Sequence, residues 1–436
     1  MSTKSLPTDD WRHSERDALL EFAAKAVKPA GFGYLDAQGH HQADHGIELW
    51  INGRFTHVMA CEVLRGNEEA RPLLDLGMKA LTESLWDDKY AGWLASVHTG
   101  EDEAGMADGR VLPFDEGSTR KQSYAHAFVI LAAASAMQAG HPAARRLFDV
   151  AHELADHHWW EPVGLVRESA SRDWSEFEDY RGINANMHTV EAMLASFDAA
   201  NDLEFLERAR HICRFVIEQA EPHQWRIPEH YTSDWTFDPE YNRDRPADQF
   251  RPWGATVGHG LEWGRLIIQT AVVSLRHRQI EAGEAAELVA AALHLIDRAV
   301  ADGWAVDGHD GFVYTTDFDG QPIVHERMHW VVCEAINAVH AARRALAELS
   351  EQGQNVPTDG LTISPERYAE LEATWWKHAD DYFIASPGRW REELDKEGNL
   401  SEQTWTGMPE IYHAYQALVL PDGDYAVGFA AAAKGK

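Results

Sequence analysis

The chain has 436 residues, 25% of them charged, and a formal net charge of -32 at pH 7. That length can bury a large core, and the spread acidic surplus argues against nucleic acid and anionic membranes as partners. Cys61, Cys213 and Cys333 are widely spaced without a CxxC, a polar start lacks a signal-like apolar run, and no 18-residue apolar window occurs, so zinc knuckles, disulfide frameworks, secretion and membrane spans are not expected and the cytoplasm is the default.

Apolar periodicity predicts helices over 11–27 and 46–64. The second holds Trp50 and Arg54 in an apolar run. A buried arginine there needs partners. It can donate to sugar hydroxyls or a developing enediolate, or serve a structural salt bridge. Helices follow over 69–86, with Leu73, Leu74, Met78, Leu81 and Leu85 at helical steps, then over 119–138 and 142–158. Asn184-Ala185-Asn186-Met187-His188 opens the predicted helix 185–200, and 203–220 comes next. Residues 222–254 lack helical periodicity and carry Trp225, His230, Tyr231, Trp235 and Tyr241. A long ordered loop of that kind is usually functional, here as a lid or wall over a pocket. Helix 256–278 opens on Gly258-His259, and 283–301, 325–348 and 364–384 follow. The predicted helix 404–419 carries Glu410 and His413 beside a Gly407/Pro409 turn, and 422–434 ends the chain.

The connectors resemble one another. Gly92-Trp93, Gly164-Leu165, Gly311-Phe312 and Gly388-Arg389 each lead into a short extended stretch. The repeat spans roughly 50 to 75 residues. Helices in pairs without strong strands predict an all-α fold, a closed (α/α)6 toroid over 1–436 as a single domain. Short β-hairpins would sit on one rim, around an aromatic-lined pocket.

Three Glu/His pairs at one helical turn's spacing carry the chemistry: His188 with Glu191, His259 with Glu262, and Glu410 with His413. Such spacing puts carboxylate and imidazole on one helix face. The carboxylate can fix the tautomer of a ring suited to proton transfer. All three histidines follow loops and would face one rim. His211, His294 and His378 sit mid-helix and read as structural. Glu-x-x-His is also a di-iron motif, so a metal-dependent isomerase or oxygenase is an alternative. The missing parts are a second copy in the same orientation and further helical carboxylates. Asp173, Glu178, Asp179 and Glu326 are candidates for glycoside cleavage, but no spacing selects a pair. A toroid that only binds glycans is the non-enzyme reading.

These motifs resemble the N-acylglucosamine 2-epimerase superfamily, in its aldose–ketose isomerase branch. The likeness rests on Gly31–Leu35, Leu49–Arg54, Asp179–His188, Gly258–Arg265, Asp310–Tyr314 and Glu410–His413, and covers about residues 10–420. It implies an (α/α)6 barrel and catalysis without metal or other cofactor. It implies that His259 and His413 do the proton work, His413 as the C2/C1 shuttle and His259 in ring opening, with exchange of these roles open. Arg54, Asn184, His188, Glu262, Trp50 and Trp405 would bind the sugar. The reaction implied is D-mannose–D-fructose interconversion through a cis-enediol. A 2-epimerase acting on mannose and glucose or on N-acylglucosamine is the rival, as is a sulfoquinovose isomerase. Glu392 and Pro409 stand where the sulfosugar branch tends to carry glutamine. An acidic residue there would repel a sulfonate. A monomer or small homo-oligomer with a monosaccharide substrate is expected.

Overall fold

The computed structural model describes residues 5–434. Its helices are α1 (Asp9–Ala23), α2 (Leu49–Leu64), α3 (Arg71–Lys79), α4 (Ser123–Gln138), α5 (Ala144–Leu154), α6 (Ile183–Ala200), α7 (Leu203–Ala220), α8 (Val257–Arg276), α9 (Ala282–Gly303), α10 (His329–Glu351), α11 (Tyr368–His378), α12 (Tyr412–Val419) and α13 (Phe429–Ala433). The even-numbered helices α2 to α12 pack side by side in an inner ring. The odd-numbered helices α3 to α11 each back onto the inner helix that precedes them in the chain, and α1 backs onto α12. This is an (α/α)6 barrel, as expected. No described helix is long and apolar enough to cross a membrane.

The two rings differ as their sequences require. Residues Leu49 to Val63 of α2 are all buried, as are Val257 to Ser274 of α8. A helix that is apolar nearly all round must be enclosed. Outer helices such as α7 bury one stripe, including Leu206, Ala209, Cys213 and Val216. The seam between first and last ring members is tied by Arg12, which donates to the Leu418 carbonyl (2.5 Å) and pairs with Asp422 (2.7 Å). The short α13 packs against α2, α4 and α6.

One rim is organised by a repeated device. Each of α2, α4, α6, α8 and α10 is preceded by a two-residue strand: Ile47–Glu48, Lys121–Gln122, Arg181–Gly182, Ala255–Thr256 and Arg327–Met328. Each strand pairs antiparallel with one from the next connector. The first N–H of each helix then bonds a carbonyl just before that partner strand: Leu49 to Ala95, Ser123 to Glu168, Ile183 to Glu229, Val257 to Tyr314 and His329 to Glu392, at 2.9–3.1 Å. These bonds satisfy an otherwise orphaned helix donor and set the height of every inner helix. The Gly-opened turns also appear, with Gly92, Gly164, Gly311 and Gly388 all at positive φ. At Gly388 a Cβ would lie 2.2 Å from the Ala18 carbonyl, so only glycine fits.

Several boundaries differ from the predicted ones. The predicted helices 69–86, 142–158 and 364–384 end in π turns at Ala80–Ser84, Ala155–Trp159 and Ala379–Phe383. The predicted helix 325–348 starts only at His329, because Arg327–Met328 are taken up in a strand pair. The predicted helix 404–419 is helical only from Tyr412. Upstream, the amides of Thr404 and Trp405 bond Glu393 Oε2 (2.9 and 2.8 Å). Gly407 (φ +69) sits where a Cβ would be 2.4 Å from the Leu35 carbonyl. The predicted helix 422–434 is reduced to α13.

Candidate active site

The rim device aims side chains at a small cavity inside the inner ring. Trp50, Arg54, Asn184, His188, His259, Glu262, Trp405 and His413, the whole expected set, line it. His259 is in the first turn of α8, and His413 in the first turn of α12. Trp330 joins them, its indole 5.6 Å from the His259 ring and 5.7 Å from the His413 ring. Both imidazoles therefore border one indole.

Each histidine is held through Nδ1, but mostly not by the expected partner. His259 Nδ1 lies 3.0 and 2.9 Å from the two oxygens of Glu229. His413 Nδ1 lies 3.1 Å from Glu334 Oε1. Glu262 and Glu410 are therefore not the carboxylates that hold His259 and His413. Glu410 precedes α12, so the helical spacing assumed for that pair does not exist there. Only the pair His188–Glu191 forms as predicted, at 3.4 Å. A carboxylate at Nδ1 fixes the proton there and leaves Nε2 as the ring's free nitrogen.

Buried charges interlock beneath the cavity. Arg265 donates to Glu334 through Nε (2.8 Å) and Nη2 (3.2 Å), and reaches Glu262 Oε1 at 3.5 Å. Burial and the neighbouring Glu334 push the Glu262 carboxyl well above the ordinary range. The Tyr412 hydroxyl donates to Glu191 Oε2, and Gln416 donates to Glu191 Oε1 at 3.1 Å. Burial holds His188 down to about 4, so it is neutral at pH 7. Burial alone would raise Glu410, but His413, His329 and Arg54 outweigh it and hold the carboxyl at about 2.

Arg54 sits among aromatics, its guanidinium carbon 4.5 Å from the Phe128 ring, 4.9 Å from Tyr412 and 5.1 Å from Trp50. It donates to the Tyr124 hydroxyl at 3.1 Å and lies 3.9 Å from Glu410. Asn184 Oδ1 is buried with no protein partner among the described residues, leaving an acceptor for a ligand. The 222–254 segment is the wall foreseen. It supplies Glu229, Gln249, Phe250 and Pro252. Phe250 closes the mouth edge-on to Trp50 (6.4 Å), Trp405 (5.2 Å) and Tyr124 (6.0 Å).

Two alternatives fare differently from the histidine reading. Asp173, Glu178, Asp179 and Glu326 are not among the residues lining this cavity. Three histidine–carboxylate groups lie close enough to suit a cation: His188/Glu191/Glu262, Glu262/Glu334/His413 and His329/Glu392/Glu410. In the first two, Arg265 already approaches Glu262, and in the second it also holds Glu334. A metal ion there would face a buried guanidinium. In the third, the two ring nitrogens face different carboxylates, so the imidazole bridges rather than converges.

The profile of the N-acylglucosamine 2-epimerase (GlcNAc 2-epimerase) family matches residues 31–417. A D-mannose isomerase of Thermobifida fusca is 41% identical over 421 residues, covering 94% of this chain and 93% of that protein. A D-mannose isomerase of Pseudomonas cannabina pv. alisalensis is 37% identical over 414 residues, covering 94% and 92%. A crystal structure of a D-mannose isomerase superposes with a TM-score of 0.79 at 25% identity, covering 95% of this chain and 98% of that one. The chain belongs to the N-acylglucosamine 2-epimerase family.

Proposed function

We propose that this enzyme interconverts D-mannose and D-fructose, and that the toroid acts as one catalytic domain. The observation that carries the reading is the placement of His259 and His413. Both border Trp330, both are held at Nδ1 by a carboxylate, and both line one cavity.

In this reading His259 opens the pyranose ring by moving the O1 proton toward the ring oxygen. His413 Nε2 then takes the C2 proton. The C2–H electron pair becomes the C1=C2 bond of the cis-enediol intermediate, and the O2 proton passes to O1. His413 then returns its proton to C1 as the O2 electron pair closes C2=O, which gives the ketose. Arg54 stabilises the oxygen on which charge develops. Asn184, His188, Glu262, Trp50 and Trp405 orient the hydroxyls and cover the sugar. Glu392 and Glu410 at the wall favour a neutral hexose over an anionic one.

The test is D-mannose incubated with EDTA-treated protein in D2O, with products followed by NMR. Fructose is expected, carrying deuterium at C1 to the extent that the proton on His413 exchanges with solvent before its return. Glucose labelled at C2 as the main product would move the assignment to a 2-epimerase. Turnover only after a divalent ion is supplied would overturn the histidine mechanism.

A further inference from the structure

His329 lies behind the cavity wall and is not needed by the mechanism above. It is 1% exposed. Its Nδ1 is 3.4 Å from Glu392 Oε1 and its Nε2 is 3.3 Å from Glu410 Oε1. Both carboxylates line the cavity, and both are buried. Glu392 meets His329 twice, since its carbonyl also accepts the His329 amide at 3.1 Å. Glu410 is fixed from its other oxygen by the Tyr412 amide (2.5 Å) and faces Arg54 at 3.9 Å.

We propose that His329 is a positioning residue that holds Glu392 and Glu410 as a pair of hydroxyl acceptors for the bound sugar. The inference rests on the isomerase reading of the same cavity. Two carboxylates on one buried ring would repel each other without a cation between them. A charged imidazole supplies that cation, with one nitrogen at ion-pair distance from each carboxylate and neither nitrogen taken by another hydrogen-bond partner among the described residues. Groups facing this triad are Arg54, His413 (rings 6.5 Å apart), Cys333 and Tyr34. Burial would lower His329, but Glu392 and Glu410 outweigh it and raise it to about 10, so the ring is charged at neutral pH. A carboxylate accepts and does not donate. The pair thus reads hydroxyl donors on the sugar and leaves proton transfer to the two other histidines.

His329→Phe tests this, with steady-state kinetics on D-mannose from pH 5 to 9. The expected result is a KM raised 10-fold or more with kcat within 3-fold. The acid limb of kcat/KM should move up by one unit or more, because the unbridged carboxylates no longer both ionise near neutrality. His329→Gln keeps one donor and should fall between. If His329→Phe does not fold, the double variant H329Q/E392Q decides. Removing one carboxylate of the pair should return the acid limb to its wild-type position. An unmoved acid limb in the folded single variants, or a loss confined to kcat, would overturn the inference. Wild-type protein that turns over no hexose would overturn the isomerase reading instead.

Discussion

Replacing Glu229 distinguishes the partner His259 has in the structure from the one that helical spacing suggested. Both Glu229 oxygens lie within 3.0 Å of His259 Nδ1, and one also accepts the Thr256 amide at 3.3 Å. In Glu229→Gln the side-chain carbonyl still accepts the Nδ1 proton, but the charge is gone. A hydrogen bond to a charged group contributes about 1.5–3 kcal/mol and a neutral one about 0.5–1.5, so the loss is about 1–1.5 kcal/mol. That corresponds to about a 5- to 10-fold slowing of any step that charges the ring. Glu229→Ala removes the acceptor as well, and about a 10- to 150-fold loss follows. The assay is kcat/KM for D-mannose, with 15N NMR of the His259 ring to read its tautomer and a thermal melt to confirm folding. Wild-type kcat/KM in Glu229→Ala would refute the reasoning. So would ring resonances that change in Glu262→Gln but not in Glu229→Gln.

Acid should destabilise the fold early. His57, His152, His188 and His378 are held at about 4, and His126 at about 3, from an ordinary 6.5, all by burial first. Each folded-state value is depressed, so the contribution is full above pH 6.5 and is lost as pH falls through about 4, or through about 3 for His126. The thermal midpoint is expected to drop across that window, and a rising midpoint would contradict the reading. Asp87→Ala strips the carboxylate from fully buried Lys121 (2.9 Å) and from Arg172 (2.9 Å). A loss of about 3–5 kcal/mol in urea unfolding is expected, and a change below about 1 kcal/mol would count against it. Trp330→Ala removes the indole that borders the His259 and His413 rings. About a 100-fold loss of kcat is expected from misplaced rings, and unchanged turnover would show that the indole does not position them.

The helical rings and the rim-facing histidines were legible in the sequence because their signals are local, whereas Trp50, Glu262 and Trp405 as sugar-binding residues came only from the family resemblance. Helical apolar steps mark the rings, and a histidine just after a glycine-rich turn marks a rim-facing helix start. The charge partners were not legible from spacing. Glu229 sits 30 residues before His259, and Glu334 sits 79 before His413. Two signals existed. Glu334 follows Val331, Val332 and Cys333 as a lone charge in an apolar run, and Arg265 precedes Leu266, Ile267 and Ile268 one turn after Glu262. Glu229 carries no such mark. Its register becomes visible only once the carbonyls of Ala95, Glu168, Glu229, Tyr314 and Glu392 are seen to cap successive inner helices.

The α1–α12 seam dictates when this enzyme comes into being. Arg12 and Leu418 are 406 residues apart, so their contact waits for almost the whole chain to be synthesised. Most other inner helices can meet their neighbours as they emerge, whereas ring closure is a long-range step and a slow one. The last inner helix also brings His413. A nascent chain halted before it has an open ring and lacks His413 as well, so on the proposed mechanism partly made copies turn over no sugar before the ring closes.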